Sequence, residues 1–200
     1  MHGLAALTVL LAALQVAAAE TRFLVDPEAG ANTFTAVFDA AIGERITAVS
    51  SAVGCTFRVD EKKRTGQANC SVPLTSVKVD GDDTKSGHFW QWATNRQSDP
   101  ERCAFTLELP RVALDGPVEP MKAAPFEADA RFTLCGRARD DHGTERVRGT
   151  VIYLPAGSYK DARTLRIRAR IEGFDRDRYQ VGPQWTEGWL ARVQDRKSVV

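Results

Sequence analysis

The sequence predicts an all-β fold, built either as a closed antiparallel barrel or as a sandwich. About eight segments alternate apolar and polar residues with a period of two, because successive side chains leave a strand on opposite faces. Turns or loops join these segments, and no long amphipathic helix is apparent. Strands at this spacing with such connections are typical of antiparallel barrels and sandwiches. The 200 residues suit a single domain with a sizeable core.

The longest alternation, between residues 49 and 79, predicts a central hairpin. Its two arms are separated by the charged turn 61–64, which nothing would bury. When Cys55 is placed opposite Cys70, apolar or small side chains meet along the whole hairpin. One register therefore satisfies both the hydrophobic pattern and the cysteines, with these further pairs: Val53 with Val72, Phe57 with Ala68, and Val59 with Gly66.

The other elements follow from shorter patterns. Residues 84–95 lack a clean period of two, so we expect a short helix or a wrapped loop there, with Asp83 or Thr84 as its N-cap. Residues 111–125 hold three prolines and a glycine, which predicts a long connection. The remaining strands are predicted at 23–25, 32–39, 103–109, 126–134, 147–153, 165–171 and 189–200.

The first 19 residues predict a cleaved signal peptide. Residues 4–16 are almost wholly apolar but short for a membrane span, and the small residues 17–19 form a cleavage pattern before Glu20. The start of the chain carries no Lys or Arg, so an N-terminal anchor or a buried helix is the alternative. We therefore expect an exported mature domain of residues 20–200.

The four cysteines of an exported chain fit two disulfides. The hairpin register favours Cys55–Cys70, which leaves Cys103 and Cys135. The predicted strands bring this second pair to the same end of the sheet, although parity points Cys103 inward and Cys135 outward. A bulge or a frayed strand end would have to absorb the difference of one residue. Free thiols are the alternative, and the lack of a CxxC pair argues against a four-cysteine metal site.

Composition and motifs argue against two classes of function. The net charge is only +1, whereas general nucleic-acid binding requires a strongly basic face. No GxSxG, HExxH or P-loop motif is present, so we expect no catalysis and no cofactor. The run Asp140-Asp141-His142 has the residue types of a metal site, but it precedes Gly143 in a polar turn, where such residues are ordinary turn formers.

The order of the segments resembles the YceI family of bacterial periplasmic proteins over nearly the whole mature chain. The matching pieces correspond to the opening strand pair, the first long strand, the segment that carries the family's histidine, a later hairpin and a late strand end. His88 falls on the family's histidine, while Lys85 and Ser86 stand where the family usually has Arg and Asp. The pieces read FLVDPEAGANTFTAVF, ITAVSSAVGCTFRVD, CSVPLTSVKVDGDDTKSGHF, FTLCGRARDDHGTERVRGTVIY and IEGFDRDRYQVG.

This resemblance implies a lipocalin-like eight-stranded barrel over residues 20–200, located in the periplasm, whose lumen holds a polyisoprenoid or quinone-type lipid. An eight-stranded barrel is wide enough either to fill with side chains or to hold one small ligand. A non-catalytic carrier is therefore expected, and the alternative is a filled barrel that serves as a structural or protein-interaction module of the envelope. A homodimer, transient contact with a membrane surface and, as a second choice of location, secretion are further expectations.

Candidate ligand-binding residues come from strand parity and from the aromatic cluster around 84–95. Inward apolar side chains would gain about 25 cal/mol per Å² whether they line a lumen or pack against each other, so both interpretations stay open. A histidine beside tryptophans could cover the barrel mouth and donate a hydrogen bond to a polar head group, or it could belong to a packed loop. The lining candidates are Phe34, Phe38, Phe57, Phe105, Leu107, Phe132 and Ile167, and the lid candidates are His88, Phe89, Trp90 and Trp92, with Trp185 and Trp189 as further mouth or closing residues.

Five arginines are predicted on the outer face of two neighbouring strands. Contact with anionic lipid head groups is one interpretation. A solvated face with acidic partners on adjacent strands is the interpretation we favour. The arginines are Arg146, Arg148, Arg166, Arg168 and Arg170.

Overall fold

The structure is a computed structural model that describes residues 20–28, 32–39, 45–114, 116–181 and 196–199. The predicted leader, Trp185 and Trp189 lie outside these residues, and so does the side chain of Phe38. No helix among the described residues is long and apolar enough to cross a membrane.

The described chain is almost entirely β-structure, as its alternating pattern predicts. One α-helix, α1 (Asp83–Ala93), interrupts the strands. Short 3-10 turns lie before it at Leu74–Ser76 and after it at Pro100–Arg102 and Arg176–Tyr179. The strands are β1 (Thr21–Leu24), β2 (Phe34–Asp39), β3 (Arg45–Ser50), β4 (Gly54–Asp60), β5 (Thr65–Pro73), β6 (Lys78–Val79), β7 (Ala104–Ala113), β8 (Ala123–Leu134), β9 (Glu145–Leu154), β10 (Thr164–Glu172) and β11 (Arg196–Val199).

All pairs are antiparallel, in the order β1-β4-β5-β7-β8-β9-β10-β11-β2-β3-β6. The 11 described strands occupy eight positions, because β1 with β2, β3 with β4, and β5 with β6 are successive halves of three bent strands. The ladder curls into a lipocalin-like barrel, which confirms the predicted fold class. The order of pairing begins with one half of each bent strand and ends with the other half, so the sheet encloses one interior.

The two ends of this barrel differ, and we name them by their contents. The helix end carries α1, and β11 closes it by pairing with both β10 and β2. The tip end carries the turn 61–64, and there no strand pairing joins β10 to β1 within the described residues. Side chains cross that gap instead: Arg163 Nη1 lies 2.8 Å from Glu61 Oε1, and Lys160 pairs with Asp26. We call this gap the seam.

The predicted central hairpin is confirmed over its outer half. Cys55 is paired with Cys70 in the sheet register, and a disulfide joins them with their Cα atoms 4.1 Å apart. The first arm is not continuous, however, because residues 51–53 leave the sheet between β3 and β4. Ser50, which is buried, accepts a hydrogen bond from the backbone N–H of Ala52 at 3.0 Å. A serine side chain that satisfies a nearby backbone donor replaces a ladder bond and breaks the strand.

A disulfide also joins Cys103 to Cys135, as predicted, and the structure shows how the disagreement of faces is resolved. Leu134 is the last residue of β8, and Cys135 beyond it has a positive φ of 50°. That left-handed residue turns the chain out of the strand, so side-chain alternation no longer governs where Cys135 points. The irregular end of β8 therefore lets Cys135 reach Cys103, although strand parity places their side chains on opposite faces.

Two boundaries differ from the predictions. The N-cap of α1 is Asp82, whose carboxylate accepts the backbone N–H of Lys85 at 2.8 Å, and not Asp83 or Thr84. The predicted connection 111–125 is shorter, because β7 runs to Ala113 and β8 begins at Ala123. Pro110 is tolerated inside β7 because it lies at a shift of register opposite β5, where a residue is left without a ladder partner.

Candidate functional site

A continuous cluster of aromatic rings fills the interior at the helix end. Phe105 is buried at its centre, with ring centroids 5.1 Å from Phe34 and 6.0 Å from Phe132. Phe132 in turn meets Phe174 at 5.1 Å and Tyr179 at 5.4 Å, both edge to face. Such offset and edge-to-face pairs contribute about 0.5–1.5 kcal/mol each beyond the area that they bury. Three predicted lining residues, Phe34, Phe105 and Phe132, are therefore brought together as packed core.

Helix α1 closes the same end by placing one face against this cluster. Ser86, Phe89 and Ala93 are its buried residues, a spacing of three and four that fits one helical face. Phe89 reaches Phe105, with ring centroids 6.2 Å apart. The predicted lid residue Phe89 is thus an internal plug.

The other lid candidates have different surroundings. Trp90 is half-buried and donates its Nε1–H to the carbonyl of Val77 at 3.0 Å, while Lys78 Nζ lies 5.5 Å from its ring centroid. Trp92 is half-buried, and His88 is exposed on the outer side of α1. The structure therefore holds the indole of Trp90 in place, and it does not direct His88 toward the interior.

Inward apolar side chains are less covered at the tip end. Phe57 and Ile167 are only half-buried, although parity places them on the inner face of their strands. Leu107 is also half-buried, but it pairs with Phe132 nearer the helix end. The inward Ala169 on β10 is exposed, and it lies at the seam, where this part of β10 pairs only with β9 within the described chain. Further half-buried inward residues are Val112, Val151 and Leu165. Covering at the tip end is thus uneven: Leu109 and Phe126 are buried, while the inner face along β9 and β10 keeps uncovered apolar surface.

Two shallow depressions lie on the sheet formed by β1, β4, β5 and β7. The larger, about 830 Å³, adjoins the Cys55–Cys70 disulfide and includes Val53 and Leu107 in its lining. The smaller, about 550 Å³, lies near the turn 61–64 and is lined by side chains of both charges, among them Arg58, Arg111, Glu20 and Asp60. The first offers apolar surface to a ligand, whereas the second carries mixed charge.

A buried polar network holds the helix end together. The Tyr179 hydroxyl donates to Glu145 Oε1 at 2.7 Å, and Arg139 Nη1 lies 3.1 Å from the same oxygen. Burial and this hydrogen bond raise the pKa of Tyr179 well above its ordinary value. Arg137 donates to the carbonyls of Tyr179 and Ala93, and so ties the C-terminal segment and α1 to the hairpin between β8 and β9. Paired in this way, Glu145 serves as a structural anchor.

The Asp140-Asp141-His142 run lies in a turn, as predicted. Asp141 makes two hydrogen bonds of 2.9 Å with Arg139 and accepts the backbone N–H of Gly143. Those bonds, with the Arg139 contact foremost, hold the pKa of Asp141 well below its usual range. No group of His, Cys, Asp and Glu side chains in the described residues is arranged to hold a metal ion.

The outward arginines divide into two groups. Arg146 and Arg148 lie 2.8 and 2.9 Å from Glu127, and Arg170 lies 2.9 Å from Glu172, so these three face acidic partners on a solvated surface. Arg166 and Arg168 are exposed, and neither makes an ion pair with a described residue. The two groups follow one another along β9 and β10, with Arg166 and Arg168 on the tip-end side.

Several interior residues were not among the predicted site residues. Phe174 and Tyr179 follow β10 in a segment with no period of two, so parity gives no signal for them. The sequence feature that indicates inward packing of this segment is its two aromatic residues, Phe174 within the charged run 172–178 and Tyr179 directly after it. Phe126 has the correct parity on β8, and it is buried against Gly149 on β9.

No protein-family model matches this chain, and no curated protein sequence does either. Its fold is similar to the crystal structure of BcnA from Burkholderia cenocepacia, with a TM-score of 0.53 and 13% sequence identity. The similarity covers 83% of this chain and 93% of that chain. At this level of identity the likeness is one of fold, and it supports the lipocalin-like barrel that the sequence predicts.

Proposed function

We propose that this chain is an exported, non-catalytic barrel of the YceI type that binds a long apolar lipid, polyisoprenoid or quinone-like, in its interior. The barrel fold is consistent with a ligand-binding role. Two disulfides fit an oxidising compartment outside the cytoplasm, for which we propose the periplasm. The buried or half-buried lining candidates form the floor and walls of the proposed site.

The observation that carries this proposal is the unequal covering of the interior. Ile167, Val151 and Val112 point inward yet keep part of their apolar surface in contact with solvent at the tip end. Covering such surface with an apolar chain is favourable by about 25 cal/mol per Å². A lipid chain that enters from the tip end would cover these side chains and stop against the aromatic cluster around Phe105.

The test is to purify the protein from its native envelope, extract it with solvent and identify bound lipid by mass spectrometry. The variant Ile167→Trp adds bulk to the inner face and should lower the lipid-to-protein ratio severalfold. The matched control Ile152→Trp adds the same bulk on the outward face of the neighbouring strand and should leave the ratio unchanged. An extract with no lipid, or equal ratios for both variants, would reject the proposal.

A second candidate is a filled barrel that serves as a structural or protein-interaction module of the envelope. The aromatic cluster of Phe34, Phe105 and Phe132 favours it, because this part of the interior is already packed. On this hypothesis Trp92→Ala should abolish capture of an envelope protein while lipid content stays the same. Unchanged capture together with bound lipid would favour the carrier.

A further inference from the structure

Unpaired positive charge collects around the tip end of the barrel. Arg22 on β1 lies directly opposite Arg58 on β4, and both are exposed. Arg111, Arg166 and Arg168 are also exposed, and none of the five makes an ion pair with a described residue. Like charges placed opposite each other on neighbouring strands destabilise a sheet unless an external anion compensates them. Nearer the helix end, Arg102 and Arg139 have acidic partners, whereas Arg96 is exposed and makes no ion pair with a described residue.

Exposed large apolar side chains collect at the same end. Met121 is 61% exposed and Tyr159 is 47% exposed, in the connections that precede β8 and β10. The backbone N–H of Met121 donates to the carbonyl of Tyr153 at 2.9 Å, which fixes its loop beside the end of β9. Apolar and tyrosine side chains beside arginines are the composition that enters the interface of an anionic membrane.

The seam lies between these two features. Arg22 on β1 and Arg168 on β10 flank it, and the exposed inward Ala169 lies on its β10 side. The two ion pairs that cross the seam, Lys160 with Asp26 and Arg163 with Glu61, are made by exposed or half-exposed side chains. Surface pairs of this kind contribute little to stability and weaken with salt, so the seam can open at small cost.

We propose that the tip end docks on an anionic phospholipid bilayer, with the seam facing the head groups, and that lipid passes between bilayer and barrel there. This inference rests on the proposed lipid-binding function and adds its partner and its place of exchange. Arginines flanking an apolar opening match the order of charges and chains in a bilayer: phosphates lie outside and acyl chains within. Each basic residue near such a surface strengthens binding by about fivefold.

The experiment is flotation of the full mature protein with vesicles of phosphatidylcholine, alone or mixed with phosphatidylglycerol. Wild-type protein should float only with the anionic vesicles, and high salt should weaken this binding. Arg22→Gln combined with Arg168→Gln should weaken it by more than tenfold. The control is Arg96→Gln combined with Arg102→Gln, which changes the net charge equally at the helix end and should bind like wild type. Circular dichroism and the thermal midpoint check that each variant is folded.

The contribution of the exposed apolar side chains to vesicle binding is tested separately. Met121→Ala combined with Tyr159→Ala should reduce the fraction bound that survives high salt, whereas Val49→Ala, 37% exposed on β3, should not. Lipid that remains bound after purification is measured on the same samples. Wild-type protein that carries lipid but does not bind anionic vesicles would overturn the docking proposal without rejecting the lipid-binding function. Arginine variants that bind vesicles like wild type and differ from it only in self-association would have the same consequence. Protein that floats but never carries lipid would instead reject the carrier.

Discussion

The ring of Phe126 occupies the space in which any residue other than glycine at position 149 would place its Cβ. A Cβ built on Gly149 would lie 2.6 Å from Phe126 Cζ and 2.4 Å from the carbonyl oxygen of Arg168. Phe126 and Gly149 are direct partners in the pairing of β8 with β9. A glycine in the middle of a strand is thus used to bury an aromatic ring at the inner wall of the barrel.

This contact predicts that Gly149→Ala destabilises the protein. The methyl group would meet a ring and a backbone carbonyl at once, so we expect a loss of about 1–3 kcal/mol in the free energy of unfolding, measured by urea denaturation. Gly87→Ala is the matched control, because nothing lies within 4 Å of its added Cβ on α1. That control should stabilise by about 0.5–1 kcal/mol, since alanine is the better helix residue. Equal effects of the two substitutions would contradict the packing described here.

The two disulfides should contribute unequally. Cys55–Cys70 spans 15 residues and joins partners already paired in the sheet, whereas Cys103–Cys135 spans 32 residues. Chain-entropy arguments give about 3 kcal/mol for the shorter loop and about 0.7 kcal/mol more for the longer. Cys103 is also buried, so its replacement disturbs packing. We expect Cys103→Ala with Cys135→Ala to lower the guanidinium midpoint more than Cys55→Ala with Cys70→Ala, and the reverse order would contradict this account.

Packing and lining residues should separate by their effects on stability and on ligand. Phe105→Ala removes the centre of the aromatic cluster and should cost about 3–5 kcal/mol. Ile167→Ala removes a half-buried side chain at the tip end and should cost about 1–2 kcal/mol. Bound lipid, measured by mass spectrometry of folded protein, should fall with Ile167→Ala. If Phe105→Ala alone reduced lipid binding, the ligand would have to lie at the helix end.

Strand parity was enough to predict the hairpin register and the pairing of Cys55 with Cys70, because a shift of one residue would expose every apolar side chain. It placed Phe105 and Ile167 on the same face but could not distinguish core from lining. That distinction depends on how far other elements cover each side chain. Phe89 covers the end near Phe105, and no described strand covers the β10 edge near Ala169.

Where side-chain alternation stops, a single local bond or backbone angle overrides the period of two. Ser50 interrupts the first arm of the hairpin through its hydroxyl, and Cys135 leaves its strand through a positive φ. Neither event changes the hydrophobic pattern on which the strand assignment rests. Phe174 and Tyr179 could not be predicted as core because their partner Phe132 is some 40 residues away in the sequence and no periodicity connects them.

Lowering the pH should reduce the contribution of Asp141 to the free energy of unfolding. Its folded-state pKa is held below the ordinary value of 3.8, chiefly by the hydrogen bonds from Arg139. A carboxyl group whose pKa is lowered by folding stabilises the folded state at pH values above its ordinary pKa. This stabilisation is lost as the pH falls through the folded-state pKa. Asp141→Asn should therefore lower the urea midpoint at pH 7, and its difference from wild type should narrow at about pH 2. Asp161→Asn, in the connection before β10, is the control, and a constant difference between wild type and Asp141→Asn at both pH values would contradict the linkage.

Raising the pH into the alkaline range should change the free energy of unfolding through the buried hydroxyl of Tyr179. Burial foremost, and then the hydrogen bond to Glu145, raise its folded-state pKa above the ordinary value of 10.0. An unfolded chain can release this proton near pH 10 while the folded protein retains it, so stability present below that pH is lost as the pH rises. Tyr179→Phe should cost about 1–2 kcal/mol at pH 7, since Glu145 loses a partner, but the difference should shrink above pH 10.

The ultraviolet absorbance of tyrosinate after a rapid jump to alkaline pH measures this directly. In folded wild-type protein one of the three tyrosines should ionise only when the chain unfolds, and Tyr179→Phe should lack that slow phase. Arg139→Lys is a second variant, because it weakens the other contact of Glu145 and keeps the Tyr179 ring against Phe132. If it retains the slow phase at a lower unfolding midpoint, burial of the ring protects the hydroxyl. Full ionisation of all three tyrosines before unfolding would show that this end of the barrel is open to solvent.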